Sequence, residues 1–127
     1  MPTVPTTARG AVITGWGTAL PERIVTNYDL EATIDTNHDW IVERTGIRER
    51  HVGGTTAGLS VESGRQALEM SGIDPSDIDI LILATTTPDR VVPATSATVA
   101  HQLGLSCGAF DVNAACSGWV YGLVAAH

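Results

Sequence analysis

The chain lacks lysine entirely, and its basic residues are seven arginines set against 14 aspartates and glutamates, for a formal net charge of −7. A protein that binds a nucleic acid needs a basic face to neutralise the phosphates. This charge balance therefore argues against nucleic acid as a partner. It still permits a local group of arginines that would receive a small anionic ligand.

Long apolar runs are also missing, and no stretch reaches the length of a membrane span. The opening residues, MPTVPTTARG, contain one arginine and no apolar segment, so they do not resemble a secretory signal. We therefore expect a cytoplasmic protein with no membrane partner, in which cysteines stay reduced.

Cysteine is scarce, because the chain has only Cys107 and Cys116, nine residues apart and without histidines at the spacing of a zinc finger. No metal site is expected. The length of 127 residues, the hydrophobic content of 43% and the mean hydropathy of +0.13 are typical of one packed domain.

Apolar periodicity predicts alternating strands and helices. Strands are expected at residues 11–16, 78–84 and 108–112, the second of them buried on both faces. Helices are expected from a cap at Thr26 or Asn27 through Ile34, from a cap at Thr56 through Ser71, and from Pro93 through Leu103. This order indicates an α/β layered fold with a largely parallel sheet. In such sheets ligands collect at the carboxyl ends of the strands, where residues 85–87 and Cys116 lie.

The stretch GAFDVNAACSGWVYGLV joins the last strand to a final helix through a corner of small residues that carries Cys116. A cysteine at a helix N-terminus is favoured as the thiolate, because the helix dipole and unpaired N–H groups stabilise negative charge. This pattern is typical of an activated nucleophile. Cysteine is also a common small buried residue, and the local pattern leaves both interpretations open.

The final helix, residues 118–126, is apolar nearly all round and ends without a cap. A helix of this kind has to be buried on every side. We therefore expect the chain to be incomplete.

A second group of residues brings an aromatic face together with guanidinium groups: Trp40, Arg44, Arg48 and Arg50. Such a set suits an adenine nucleotide, since tryptophan stacks on purines and arginine pairs with phosphate. In the alternative interpretation these arginines form surface ion pairs with Asp39, Glu43 and Glu49 and the tryptophan belongs to the core. The residues alone favour the alternative.

Four blocks of sequence taken together resemble the β-ketoacyl-acyl carrier protein synthase III family of the thiolase superfamily. The blocks are LPERIVTN, DWIVERTGIRERH, ILATTTPD and FDVNAACSGW. The resemblance implies a thiolase-like layered α/β fold, of which residues 1–127 would form an incomplete N-terminal domain with a largely parallel mixed sheet. It implies a homodimer when the protein is full length.

The resemblance also implies an activity. Cys116 would take an acyl group from acyl-CoA, and that group would be condensed with malonyl-acyl carrier protein with loss of CO₂, which starts fatty acid synthesis. No cofactor or metal is implied. The histidine and asparagine that assist decarboxylation in the family lie in a second half, and His38, His51, His101 and His127 do not match that position. The fragment alone is expected to be inactive.

Further residues acquire roles only through the resemblance. Trp40 matches the family's adenine-stacking tryptophan and Arg44 an arginine near the CoA phosphates, with Thr36 and Thr45 lining the same entrance. The resemblance therefore favours a nucleotide site here over surface ion pairs and a core tryptophan. Thr86 and Val92 are implied at the acyl pocket or dimer interface. Two alternatives remain, namely a condensing or acyltransferase enzyme of secondary metabolism and a non-catalytic half that binds CoA.

Overall fold

The computed structural model describes residues 10–127. Four strands are present in this part of the chain: β1 (Ile24–Thr26), β2 (Glu49–His51), β3 (Ile80–Ala84) and β4 (Gly108–Val112). The α-helices are α1 (Asn27–Glu31), α2 (His38–Thr45), α3 (Thr56–Ser71), α4 (Thr95–Leu103) and α5 (Gly118–Ala126), with 3₁₀ turns at Pro75–Asp77 and Ala115–Ser117. Between residues 10 and 127 no helix is long and apolar enough to cross a membrane.

The strands β3 and β4 form a parallel pair in which Ile80 lies opposite Gly108 and Ala84 opposite Val112. Successive side chains of a strand point to opposite faces. Leu81 and Leu83 pack against the buried cluster of Ala57, Val61 and Val99, which belongs to α3 and α4. The alternate residues Ile82 and Ala84 face α5. Helices therefore cover both faces of this sheet, and the predicted α/β layering is confirmed.

Two carboxylates fix where helices begin at the carboxyl edge of the sheet. Asp111, on β4, accepts hydrogen bonds from the backbone N–H groups of Thr95 (3.0 Å) and Ser96 (2.8 Å) at the start of α4. Asp89 accepts from the N–H groups of Thr56 (2.8 Å) and Ala57 (2.7 Å) at the start of α3. A carboxylate satisfies the free donors of a helix N-terminus and complements its dipole. No local sequence pattern predicts either contact, since the partners are distant along the chain.

The antiparallel pair β1–β2 is organised around Asn27, which is fully buried. The Asn27 side-chain amide donates to the carbonyl oxygen of Ile47 at 2.8 Å, and its Oδ1 accepts from the Arg50 guanidinium at 2.7 Å. Of the two predicted caps, Thr26 and Asn27, the structure uses Thr26, which exchanges hydrogen bonds with Asp29. These hydrogen bonds lower the pKa of the Asp29 carboxyl below its ordinary value.

The predicted strand at residues 11–16 is wrong, because this segment has no strand geometry and pairs with no neighbour among the described residues. It runs instead against α3. A Cβ at Gly15 would lie 2.2 Å from the carbonyl oxygen of Ala67, and one at Gly17 would lie 2.1 Å from that of Ser63. Glycine is therefore required at both positions, and an extended segment becomes a strand only beside a backbone that can bond to it.

Several predicted boundaries also shift. Helix α1 ends at Glu31 rather than Ile34, α3 is capped by Thr55 rather than Thr56, and α4 begins at Thr95 rather than Pro93. The strand expected at residues 78–84 begins at Ile80, which is 41% exposed, so burial on both faces is wrong for this end. The Ile78 N–H donates to the Pro75 carbonyl at 3.4 Å and so caps the preceding 3₁₀ turn, Pro75–Asp77, instead of joining the sheet.

Candidate active site

Cys116 lies in the 3₁₀ turn between β4 and α5, two residues before the first residue of α5. The strand turns into the helix at this corner, as predicted. The cysteine is exposed, whereas Cys107, immediately before β4, is half-buried. The interpretation of Cys116 as a buried packing residue is therefore wrong.

Two glycines of α5, Gly118 and Gly122, allow the start of this helix to approach β3 closely. A Cβ at Gly118 would lie 3.2 Å from the Cβ of Ala84, and one at Gly122 would lie 3.8 Å from Cγ2 of Ile82. A larger residue at Gly118 would lift the start of the helix away from the sheet, because the contact with Ala84 is already tight. Cys116 is thus held at the carboxyl edge of the parallel sheet.

Local hydrogen bonds close the corner around the cysteine. The Ser117 N–H donates to the Ala114 carbonyl at 3.0 Å, and the Gly118 N–H donates to the Ala115 carbonyl. The backbone N–H of Cys116 donates to no backbone carbonyl of the turns and loops within residues 10–127. This N–H lies beside the thiol and could donate to an oxyanion formed there.

The loop after β3 lies at the same edge of the sheet as Cys116. The Thr85 N–H extends the ladder by donating to the Val112 carbonyl at 3.1 Å, and the Thr56 hydroxyl donates to the Thr87 carbonyl at 2.6 Å. Thr86 lies between these two anchored residues and is exposed. Val92 lies farther along the same loop, and its apolar side chain is 84% exposed among the described residues.

Trp40 and Arg44 lie together on α2. The guanidinium carbon of Arg44 is 5.1 Å from the centre of the Trp40 ring, and the ring is 51% exposed. Among residues 10–127, Asp39, Glu43 and Glu49 form no ion pair with an arginine, whereas Arg65 pairs with Glu62 at 3.4 Å. The alternative in which Asp39, Glu43 and Glu49 neutralise the arginines of this region is therefore wrong for the described residues.

Other members of the predicted nucleotide group are used differently. The Arg50 guanidinium donates to the Val25 carbonyl at 3.2 Å and to Asn27, so its inclusion in the group is wrong and its role is structural. The Thr45 hydroxyl donates to the Ile41 carbonyl at 2.7 Å and accepts from the Ile47 N–H at 3.0 Å, which closes α2. Thr36 is half-buried just before α2. Arg44 is thus the member of the predicted group that lies over the Trp40 face.

Sequence and structure comparisons agree on one kind of relative. The β-ketoacyl-[acyl-carrier-protein] synthase III of Rhizobium johnstonii is 51% identical over 120 residues, covering 91% of this chain and 37% of that protein. The crystal structure of 3-oxoacyl-[acyl-carrier-protein] synthase III from Aquifex aeolicus matches with a TM-score of 0.89 at 40% identity, covering 92% of this chain and 39% of that one. The chain belongs to the β-ketoacyl-acyl carrier protein synthase III family. No protein-family model matches it.

Membership of the synthase III family confirms the thiolase-like fold. The chain spans about 37% of the length of the curated relative from Rhizobium johnstonii. A priming β-ketosynthase of a polyketide biosynthetic pathway is also similar, with a TM-score of 0.85 and 37% identity over 90% of this chain and 35% of that one. The synthase III family match thus extends to condensing enzymes of different pathways.

Two histidines, His38 and His51, make contacts away from the corner that carries Cys116. His38 stacks on Tyr28 with ring centres 4.7 Å apart, and Nδ1 of His51 is hydrogen-bonded to the Pro21 carbonyl at 2.6 Å. Both contacts lie in the part of the chain organised by β1 and β2. The described residues contain no group of three histidine, cysteine, aspartate or glutamate side chains that could hold a metal ion.

Proposed function

We propose that this chain carries the acyl-accepting site of a β-ketoacyl-acyl carrier protein synthase III. The observation that carries the proposal is the exposed thiol of Cys116, held by a strand-to-helix corner at the carboxyl edge of a parallel sheet. Because the chain spans about 37% of its relative's length, the activity belongs to the protein as a whole. Residues 1–127 would act as its N-terminal thiolase-like domain.

The first half of the reaction uses residues of this chain. The Cys116 thiolate attacks the carbonyl carbon of the acyl-CoA thioester, while the neighbouring N–H groups of the corner stabilise the oxyanion. The carbon–sulfur bond to CoA then breaks and CoA leaves as a thiolate, which takes up a proton. The acyl group remains on Cys116 as a new thioester.

The second half consumes that thioester. Malonyl-acyl carrier protein loses CO₂, and the resulting enolate carbon attacks the carbonyl carbon of acyl-Cys116. The bond to the cysteine sulfur breaks, which frees the thiol and releases β-ketoacyl-acyl carrier protein. The groups that assist decarboxylation are expected outside this chain. The chemistry is acyl transfer and carbon–carbon bond formation, so it calls for no cofactor or metal.

Acyl-CoA is proposed to bind along α2. The exposed Trp40 face would stack on adenine and the Arg44 guanidinium would pair with phosphate, with Thr36 and Thr45 at the same entrance. Val92 and Thr86 are proposed to line the acyl pocket or a homodimer interface, to which the exposure of Val92 lends support. A cytoplasmic location is proposed because a reactive thiol has to stay reduced.

A condensing enzyme of secondary metabolism is the second candidate, supported by the likeness to the priming β-ketosynthase of a polyketide pathway. The test is incubation of the protein, at the full length its gene encodes, with labelled acyl-CoA and malonyl-acyl carrier protein. Equal amounts of CO₂ and β-ketoacyl-acyl carrier protein are expected. Acyl transfer without CO₂ would favour an acyltransferase, and CoA binding without either product would favour a non-catalytic half.

Replacement of Arg44 by alanine is expected to raise KM for acyl-CoA about tenfold, equivalent to about 1.4 kcal/mol, because the guanidinium that would pair with phosphate is lost. The matched control is Arg65→Ala, since Arg65 is exposed on α3 and paired with Glu62. With acyl-pantetheine, which lacks the nucleotide, Arg44→Ala and the unchanged enzyme should have the same KM. An effect of equal size on both substrates would contradict the assignment.

Val92→Phe is expected to shift the preference towards acetyl-CoA, because a larger side chain leaves less room for a longer or branched acyl group. Relative kcat/KM across a series of acyl chain lengths measures the effect. Val91→Phe is the control, because Val91 is exposed to the same 84% in the same loop. Unchanged relative values in the Val92 variant would count against its place in the pocket.

A further inference from the structure

The residue just before Cys116 has a backbone conformation that its side chain disfavours. Ala115 has φ 45°, and it is the single residue other than glycine with a positive φ among residues 10–127. Every other positive φ in that range belongs to a glycine, at Gly46, Gly53, Gly54, Gly72 and Gly104. An L-residue with a Cβ is strained there, because the Cβ approaches a carbonyl oxygen, whereas glycine is not.

The surrounding contacts hold Ala115 in this conformation. Its carbonyl oxygen accepts the Gly118 N–H, and its own N–H points to Oδ1 of Asn113 at 3.5 Å. Gly118 in turn lies close to the sheet, since a Cβ added there would lie 3.2 Å from that of Ala84. Strained residues persist where neighbours determine the backbone in this way, and they concentrate at functional sites.

We propose that Ala115 is a positioning residue for the Cys116 thiol. At positive φ an alanine is confined to a small region of backbone conformations, while a glycine can occupy a broad one. Alanine at this position therefore limits the directions in which the next side chain can point. The proposal rests on the proposed function, because it assumes that Cys116 accepts the acyl group.

The test compares Ala115→Gly with Ala114→Gly in the protein at the full length its gene encodes. Ala114 has φ −135°, which glycine does not relieve, so the two variants add glycine to the same corner with opposite effects on strain. Ala115→Gly is expected to raise Tm by about 2–4 °C, and Ala114→Gly to lower it by a similar amount.

Ala115→Gly is expected to be more stable and yet slower in acylation. Ala115→Gly should slow acylation of Cys116 by about tenfold with KM for acyl-CoA unchanged, since a misdirected nucleophile costs rate and not binding. Ala114→Gly should acylate within about twofold of the unchanged protein. Alkylation of Cys116 by iodoacetamide, a small reagent that needs less orientation, should also stay within about twofold in both variants.

The outcomes separate this proposal from the function on which it rests. An unchanged protein that takes no acyl group on Cys116 overturns the proposed function, and the role of Ala115 with it. If the unchanged protein is acylated, an equally fast Ala115→Gly variant overturns the positioning role alone. Equal slowing of acylation in Ala114→Gly also overturns the positioning role, because a generally more flexible corner would then explain the slower acylation. A tenfold loss of iodoacetamide reactivity in Ala115→Gly overturns it as well, because lost access to the thiol would then be the cause.

Discussion

Cys116→Ala is expected to abolish covalent uptake of label from acyl-CoA and to abolish condensation, whereas Cys107→Ala should take up label like the unchanged protein. The two thiols differ in access, because Cys116 is exposed at the corner and Cys107 is half-buried at the opposite end of β4. A five-residue strand places these ends roughly 17 Å apart. A bound thioester carbonyl therefore cannot reach both sulfur atoms from one pose.

Peptide mapping of the labelled protein by mass spectrometry locates the acyl group. Cys116→Ser is a further variant, and it should react very slowly, since a hydroxyl ionises far less readily than a thiol. The three variants should keep the far-ultraviolet circular dichroism of the unchanged protein, which separates lost chemistry from lost folding. An acyl group mapped to Cys107, or a Cys116→Ala enzyme that condenses at the unchanged rate, would refute the assignment.

The polypeptide of residues 1–127 on its own is expected to be molten or to aggregate. The exposed surface of α5 is strongly apolar, with Trp119 66% exposed, Val120 58% and Val124 70%. A second apolar surface lies beside α3, where Trp16 and Leu103 help to line a cavity of about 680 Å³. Contiguous apolar surface of this kind drives self-association in water.

Dye binding and sedimentation measure this property directly. We expect several-fold enhancement of anilinonaphthalene sulfonate fluorescence and species larger than a monomer. The double change Val120→Glu and Val124→Glu should reduce self-association, because both side chains are exposed on α5, whereas Gly118 and Gly122 contact β3. A monomeric polypeptide of residues 1–127 with sharp, cooperative unfolding would contradict the expectation.

Local sequence signals located the corner that carries Cys116. The strand Gly108–Val112 has the predicted bounds, and the helix after it follows the spacing of its apolar residues. Helices α3 and α4 end at Ser71 and Leu103 as predicted, since the glycine that follows each, Gly72 or Gly104, takes the left-handed conformation that glycine tolerates. These features depend on neighbouring residues, so the order of residues was enough to predict them.

Tertiary structure decided the features that depend on partners far along the chain. Residues 11–16 have strand-like composition and yet form no strand, because a strand exists only beside another backbone. Arg50 binds Asn27, although it is close in sequence to the arginine that stacks on Trp40. The hydrogen bond between Arg50 and Asn27 joins residues 23 positions apart, so no local sequence pattern predicts it.

The corner itself divides in the same way. The sequence by itself determined that Cys116 sits among small residues between a strand and a helix, and the likeness of its blocks to one family indicated the chemistry. Only the tertiary structure decided that Ala115 takes a positive φ and that Gly118 is pressed against Ala84. An alanine beside a cysteine carries no local signal for a positive φ, because that conformation depends on tertiary neighbours such as Gly118, whose N–H donates to the Ala115 carbonyl.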